Sequence, residues 1–173
     1  MNINSTEKSI AVLLFFVCSC SFAKEQPDYL ETSLCLPKEN IAFSFKTNPK
    51  EKIASICIGP QRSYLVYRYG TQNHIELNYP TDPNFSSWKS FSFNSYVRAG
   101  GELNDPKGAR EISFSNSGTD YSVYQNWGSE NDYEIGILII SKGKNYRISG
   151  ISKSQIGSLS RLENSKDLLD TRE

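Results

Sequence analysis

Apolar and polar residues alternate along much of the chain, which is the pattern of β-strands that bury one face. In residues 41–46 (IAFSFK) the odd positions are apolar, and in residues 53–58 (IASICI) Ala54, Ile56 and Ile58 share one face. The turn-forming sequence TNPK at residues 47–50 separates the two runs. The spacing predicts a β-hairpin in which Cys57 points away from the core.

A second hairpin is predicted over residues 63–79. The strand-like runs SYLVYRY and HIELNY flank the sequence GTQN, which is typical of a four-residue turn. Alternation with a period of two places Ile75, Leu77 and Tyr79 on the inner face of the second strand. The same alternation places His74 and Glu76 on the outer face.

The remaining runs also predict strands. One is expected over residues 88–97, with Val97 facing the same side as its phenylalanines, and another around Ile112 and Phe114, with its hairpin partner over residues 121–127. Residues 133–140 (YEIGILII) are apolar on both faces, which predicts a strand covered on both sides. A short helix is expected within residues 159–169.

These elements predict an all-β fold. We expect an antiparallel meander of about eight to ten strands that forms a barrel or a sandwich, with a short C-terminal helix. The composition agrees with this class, because 10 Tyr and 9 Phe but only one Met favour sheet over helix.

The N-terminus has the pattern of a secretory signal. Residues 10–17 (IAVLLFFV) form an apolar run that is too short to cross a membrane but suits the core of a signal peptide. Small residues follow, with Ser21 and Ala23 in the A-x-A-like positions, so we expect a signal at residues 1–23 and a single β domain at residues 24–173. The predicted location is therefore periplasmic or extracellular.

A second processing route is also compatible with these residues. The sequence VCSC at residues 17–20 resembles a bacterial lipobox, in which Cys20 would be lipidated and would become the first residue of a membrane-anchored protein. The intact mass of the mature protein distinguishes a chain that begins at Lys24 from one that begins at a lipidated Cys20. No transmembrane segment is expected in the mature chain.

Cysteine and histidine counts restrict the chemistry. Two of the four cysteines lie in the predicted signal, and the remaining pair, Cys35 and Cys57, is expected to form a disulfide in an oxidising compartment. The alternative of a catalytic or metal-binding thiol pair has no C-x-x-C motif and only one histidine, His74, to support it. We therefore expect no metal and no cofactor.

The charge balance argues against nucleic acid as a partner. The chain has 19 basic and 19 acidic residues, and removal of the signal takes away one of each, Lys8 and Glu7. Nucleic acids and anionic surfaces are bound by proteins with an excess of basic residues. A neutral chain of this kind fits a protein partner in the cell envelope better.

The loop at residues 98–105 (RAGGELND) is one candidate binding site. Arg98, Glu102 and Asp105 bring three charges into a segment whose two glycines permit unusual backbone conformations. The loop lacks both the EF-hand pattern for Ca²⁺ and the G-x-x-x-x-G-K pattern of a phosphate-binding loop. An ordinary hairpin connection is the alternative interpretation.

Residues 117–121 (SGTDY) supply a second candidate. Their S-G-x-x-Y pattern resembles that of the periplasmic inhibitors of c-type lysozyme, which are small secreted or lipid-anchored β-barrels. The resemblance implies that Ser117, Gly118 and Tyr121 contact a partner, because in that family the loop enters the lysozyme cleft. The second motif of the family, Y-x-x-x-T-K-G, is absent here, and a plain hairpin turn is the alternative.

A broader resemblance covers most of residues 33–162. The segments FSFKTNPKEKIASICI, YLVYRYGTQNHIELNYP and GSLSRL look like those of a family of small secreted bacterial β-sheet proteins. This resemblance carries no activity and no catalytic residues to the present chain.

Together these observations favour a non-enzymatic protein-binding or inhibitor module of the bacterial envelope. One alternative is a carrier of a small molecule or lipid inside a barrel. Another is a hydrolase that uses carboxylates such as Glu102 and Asp105. His74, at the start of a strand and next to a turn, is expected to be an exposed residue without a catalytic role.

Overall fold

The computed structural model describes residues 32–102, 104–129 and 132–170. The predicted signal, with Cys18 and Cys20, and the predicted start of the mature chain at Lys24 lie outside these residues. The described part contains ten β-strands: β1 (Asn40–Asn48), β2 (Ile53–Ile58), β3 (Leu65–Thr71), β4 (His74–Tyr79), β5 (Ser92–Arg98), β6 (Lys107–Asn116), β7 (Thr119–Trp127), β8 (Tyr133–Ser141), β9 (Lys144–Gly150) and β10 (Ile156–Gly157). Short 3₁₀ turns connect several of them.

The strands form one antiparallel sheet in the order β4-β3-β2-β1-β9-β8-β7-β6-β5. We call β1 to β4 the first half of the sheet and β5 to β9 the second half. Strand β1 joins the two halves, because it pairs with β2 on one side and with β10 and then β9 on the other. The ends of the sheet, β4 and β5, are not paired with each other, so the sheet is open. This architecture confirms the predicted all-β meander of up to ten strands.

The core lies between the two halves of the sheet and is rich in aromatic residues. The alternating positions that the sequence marked as apolar supply it, since Phe43 and Phe45 of β1, Ile56 of β2 and Tyr67 of β3 are almost fully buried. Strands β5 to β8 of the second half contribute buried apolar residues that pack against these: Phe93, Ile112, Phe114, Val123, Ile135 and Ile137. The C-terminal segment closes the core with Leu159, Leu162 and Leu169.

A segment at residues 32–39, which we call the strap, crosses the outer face of the first half. It is attached covalently, because Cys35 and Cys57 form a disulfide, as predicted. It is also attached by hydrogen bonds, since the Leu34 amide donates to the Ser55 hydroxyl at 2.9 Å. The outer face of β1 to β3 is therefore covered and does not face solvent.

The second hairpin differs from its prediction at one bulge. The turn between β3 and β4 has two residues instead of four, and the pairing slips by one residue after Tyr69, so that Gly70 pairs with Ile75. Gly70 has φ +149°, and a Cβ there would collide with the His74 carbonyl. The slip reverses the facing of the residues before Leu77. Ile75 is thus 40% exposed beside the strap, and the prediction that it faces inward is wrong.

Two further expectations about strands are wrong. Residues Phe85–Ser90 form a 3₁₀ turn, not the start of a strand, because the Asn84 side chain caps it and accepts a hydrogen bond from the Ser86 amide. Trp88 is buried in this turn, while Val97, near the end of β5, is 57% exposed. The predicted covering of both faces of β8 is also wrong, since Ile140 on its outer face is 38% exposed.

The C-terminal segment contains the expected short helix in the form of a 3₁₀ helix at Leu159–Ser165. Ser158 caps it by accepting a hydrogen bond from the Ser160 amide. Leu159 and Leu162 enter the core, so the helix closes the space between the two halves of the sheet.

Candidate functional site

Four hairpin turns lie at one end of the sheet, which we call the hairpin end. Strand β1 ends where it pairs with the last residues of β9, so the β8–β9 hairpin extends beyond it in the same direction as the β1–β2 turn. The β6–β7 turn is beside the β8–β9 turn, because Thr119 pairs with Ser141. The turns that make up the hairpin end are residues 49–52, 72–73, 117–118 and 142–143.

The tip of the β6–β7 hairpin is formed by two of the predicted site residues. Ser117 (φ 50°) and Gly118 (φ 75°) both have left-handed backbone conformations and both are exposed. Such a two-residue turn matches the twist of its strands and projects its first side chain into solvent. The neighbouring tip has the same geometry, with Lys142 at φ 50° and Gly143 at φ 72°.

Tyr121 has a different position from the tip residues. Its ring is half-buried and stacks on Phe114 at 5.0 Å between centroids, and Phe114 in turn stacks on Tyr79 at 4.4 Å. This column of three rings connects β7 and β6 to the edge strand β4. Tyr121 therefore supports the base of the hairpin end, while Ser117 and Gly118 form its surface.

A pocket of about 340 Å³ opens at the same end, between the β1–β2 turn and β9. Thr47, Tyr69 and Ile148 line it together with Lys50, Lys52 and three other residues: Asn48, Pro49 and Arg147. We call it the cationic pocket, because its charged lining residues are Lys50, Lys52 and Arg147 and no carboxylate of the described residues lines it.

The cations of this pocket are held in place by neighbours. The Lys52 ammonium lies 2.6 Å from the Glu76 carboxylate and 5.6 Å from the centre of the Tyr69 ring, and its hydrogen bond to Glu76 raises the pKa of Lys52. Hydrogen bonds to Tyr124 and Glu134 raise the pKa of Arg147 in the same way. Both groups therefore remain charged throughout the neutral range.

The other predicted loop residues lie at the opposite end of the sheet. Arg98 ends β5, and its guanidinium donates a hydrogen bond to the Asp105 carbonyl at 3.2 Å, which closes the connection to β6. Glu102 is exposed in the turn between Gly101 and Asn104, whose backbones pair. This arrangement is that of an ordinary hairpin connection.

The two groups of predicted site residues are therefore far apart. Strand β6 separates them, because Lys107 at its start follows the loop and Asn116 at its end precedes the Ser117 tip. At a rise of ~3.3 Å per residue this strand is about 30 Å long. One small ligand cannot contact Ser117 and Glu102 together.

His74 is exposed and the two cysteines are paired, as the sequence indicated, although the register slip turns His74 to the face opposite to the predicted one. His74 is exposed at the start of β4, at the hairpin end, so it is remote from Glu102 and Asp105. Cys35, Glu39 and Cys57 place potential ligand atoms within 4.8 Å of one another. Both sulfurs are consumed by the disulfide, however, and Glu39 is bound to Arg68 at 2.6 Å, so these atoms stabilise the strap.

Sequence reasoning did not find the cationic pocket. Lys50 and Lys52 belong to a predicted turn, but the opposite wall comes from Arg147 and Ile148, which are almost one hundred residues away in the chain. Only the pairing of β1 with β9 brings these walls together. The one available signal was the concentration of lysines in the turn sequences PKEK and SKGK.

Comparison of the chain with protein-family models, with curated proteins and with solved structures finds no match. Within the part of the chain that the structure describes, none of the helices is long and apolar enough to cross a membrane.

Proposed function

We propose that this chain is an exported, non-enzymatic binding module of the bacterial envelope and that it contacts a protein partner with its hairpin end. The observation that carries the proposal is the convergence of four turns at that end, one of which is the exposed Ser117–Gly118 tip. Loops at one end of a rigid β scaffold are a frequent location for binding surfaces. The disulfide is consistent with an oxidising compartment.

The placement of the ionisable residues favours binding over catalysis. A hydrolase would need a base, a nucleophile or acid, and a group that orients them within hydrogen-bond reach of one another. His74 lies at the hairpin end, whereas Glu102 and Asp105 are exposed at the opposite end. These three residues cannot act on one substrate.

The carrier alternative is less well supported because the interior is occupied. Trp88, Phe91, Phe43, Phe45 and Tyr67 have at most 1% of their surface exposed and fill the space between the two halves of the sheet. Barrels that carry ligands keep a cavity in this position. A ligand would have to displace packed aromatic side chains.

The sharpest form of the proposal is inhibition of a c-type lysozyme by the Ser117–Gly118 tip. The tip is narrow, exposed and supported from behind by the Tyr79–Phe114–Tyr121 column, as an element that enters a cleft should be. Pre-organised loops of this kind bind with a small loss of conformational entropy.

The test uses two matched substitutions on the mature protein. Ser117→Lys places a long charged side chain on the tip, and Ser129→Lys makes the same change on an exposed turn at the opposite end. We expect wild-type protein and Ser129→Lys to slow a c-type lysozyme equally and Ser117→Lys to lose at least tenfold in inhibition. Tyr121→Phe should retain inhibition if the ring acts through stacking alone.

A photo-crosslinking amino acid at position 117 or 129 extends the test to partners other than lysozyme. Crosslinking to an envelope protein from position 117, and not from position 129, is the expected result. Absence of slowing at micromolar excess of inhibitor rejects the lysozyme form. Equal crosslinking from both positions, or from neither, rejects the hairpin end as the binding surface.

A further inference from the structure

The cationic pocket has an apolar floor and a charged rim. Tyr69 and Ile148 are partly buried and pack against the core, and they form the floor together with the buried Thr47. Lys50 and Lys52 lie on the rim. A site of this construction suits a ligand group that has a short apolar stem and an anionic head.

The rim of the pocket carries more positive charges than the neighbouring carboxylates of the protein neutralise. Lys52 is paired with Glu76 and Arg147 with Glu134, at 2.6 and 2.9 Å. Among the described residues, Lys50 has no ion pair, and Glu51 beside it in the sequence does not line the pocket. Lys50 is therefore the cation available to an incoming carboxylate, and the pocket as a whole has a net positive charge.

The edge of strand β9 borders this pocket. Residues 144–149 of β9 pair with β8, but within the described part of the chain β9 pairs on its other side only at Ser149 and Gly150, with the end of β1. The stretch before Ser149 therefore presents unpaired backbone N–H and C=O groups next to Arg147 and Ile148 of the pocket wall. An open strand edge of this kind can accept an added strand.

We propose that an extended peptide segment of a protein partner adds to the open edge of β9 and places an acidic side chain in the cationic pocket. The segment supplies main-chain hydrogen bonds to β9, and its Asp or Glu carboxylate meets Lys50, while the stem of that side chain covers Tyr69 and Ile148. The inference rests on the proposed function, because it specifies how a partner at the hairpin end is recognised.

Charge complementarity favours an acidic peptide over a second copy of the chain and over a nucleic acid. A second copy of the chain would bring its own lysines, Lys142 and Lys144 of the β8–β9 hairpin, to the same edge, and like charges there repel. A nucleic acid would need a wider basic surface than a net-neutral chain offers. An acidic peptide satisfies both the charge of the rim and the hydrogen-bonding groups of the strand edge.

The test titrates the mature protein with a fluorescein-labelled hexapeptide of alternating Glu and Val, blocked at both ends, and measures anisotropy. Two control peptides separate the components of binding: one replaces every Glu by Gln, and one carries N-methyl groups on alternate amides. We expect each control peptide to bind at least tenfold more weakly, since one loses the charge-assisted contacts and the other loses strand pairing.

Two charge reversals locate the binding site on the protein. Lys50→Glu reverses a charge in an exposed turn of the cationic pocket. Lys107→Glu makes the same change at the start of β6, at the end of the sheet opposite the hairpin end. We expect Lys50→Glu to weaken binding roughly tenfold or more and Lys107→Glu to change it less than about twofold, with unchanged far-UV circular dichroism for both.

Several outcomes overturn the inference. They are equal binding of the Glu and Gln peptides, equal effects of the two reversals, binding of free acetate as tight as that of the peptide, and no binding of the Glu peptide at millimolar concentration. The proposed function fails separately, because it depends on crosslinking from position 117. If position 117 crosslinks and the peptide does not bind, the hairpin end remains the binding surface and the peptide-addition mode is rejected.

Discussion

Glu39 and Arg68 form the most buried ion pair that the described residues contain. Only 1% of the Glu39 side chain and 9% of the Arg68 side chain are exposed, and the nearest atoms are 2.6 Å apart. Arg68 also donates to Asn78 and to the Leu34 carbonyl, and Tyr64 donates to Glu39. Each charge is therefore compensated by hydrogen bonds from the strap or from the sheet.

This network determines the ionisation of Glu39. Burial by itself raises the pKa of Glu39, but hydrogen bonds from Arg68, the Leu36 amide and Tyr64, with the charge of Arg68, place it below its ordinary value of 4.5. A carboxyl whose pKa is lower in the folded state stabilises the fold fully above the unfolded-state pKa. This contribution is lost as the pH falls from about 4.5 through the folded-state pKa.

Glu39→Gln should therefore lower the free energy of unfolding at pH 7 by about 3 kcal/mol, because Arg68 remains buried without a counter-charge. The variant should also lose less stability than wild type when the pH is lowered below 4.5. Urea unfolding at a series of pH values measures both effects. The control Glu76→Gln breaks the more exposed pair with Lys52 and should cost clearly less than Glu39→Gln, because water screens this pair.

Equal losses for Glu39→Gln and Glu76→Gln would contradict the role assigned to the buried pair. So would an unchanged pH dependence of unfolding in Glu39→Gln, since the protonation of this carboxyl would then be independent of folding.

At the scale of the elements, the strap has little secondary structure and depends on its attachments. The disulfide closes a segment of 22 residues between the strap and β2. In the chain-entropy description, a loop of this length stabilises the folded state by about 3 kcal/mol by restricting the unfolded chain. The hydrogen bonds of Leu34 and Glu39 then determine where the strap lies.

The double variant Cys35→Ala/Cys57→Ala should unfold at a lower urea concentration than wild type, by the equivalent of about 3 kcal/mol. Reduction of wild type with dithiothreitol should give a similar loss, whereas the double variant should not respond to the reductant. Equal stability of the reduced and oxidised wild-type protein would contradict this account.

Some of these elements can be predicted from the sequence and others cannot. The hairpins β1–β2 and β6–β7 follow from local alternation and turn residues, so both were predicted. The predicted facing of β1 is correct from Phe43 onward, but the pairing shifts before it, so that Ile41 pairs with the outward-facing Cys57 and Ala42 enters the core instead. The bulge at Gly70 depends on pairing across two strands, and its local sign, the glycine itself, was assigned to the turn GTQN instead. The turn at Trp88 did have a local signal, the Asn84 cap, which the hydrophobic residues around it obscured.

The candidate sites also differ in how far the sequence predicts them. Alternating strand directions place successive turns at opposite ends of a meander, so the separation of Ser117 from Glu102 was available from the order of the strands. The cationic pocket was not, because its walls meet only through the pairing of β1 with β9. The Glu39–Arg68 pair joins residues 29 positions apart, and alternation indicates only that Arg68 faces outward.

At the scale of the whole molecule, the two halves of the sheet share both a strand and a core. The core contains Phe43 and Tyr67 from the first half and Phe114 and Val123 from the second. Since neither half can bury its apolar face alone, the described domain should unfold in a single step.

Two single-tryptophan variants test this expectation. Trp127→Phe leaves Trp88, whose indole N–H donates to the Arg62 carbonyl beside β2 and β3, and Trp88→Phe leaves Trp127 at the end of β7. In each variant the fluorescence midpoint in urea should coincide with that of far-UV circular dichroism. A fluorescence transition that precedes the circular dichroism transition in either variant would indicate that one half unfolds separately.

The position of β1 between the two halves also affects when the molecule can fold during synthesis. Its partners β9 and β10 are made about a hundred residues after it, and contacts such as the hydrogen bond from the Lys46 amide to the Ser154 hydroxyl span 108 residues. Chains dominated by such distant pairings fold slowly. Among the described strands, the one that leaves the ribosome first therefore cannot complete its pairing until the last ones have been synthesised.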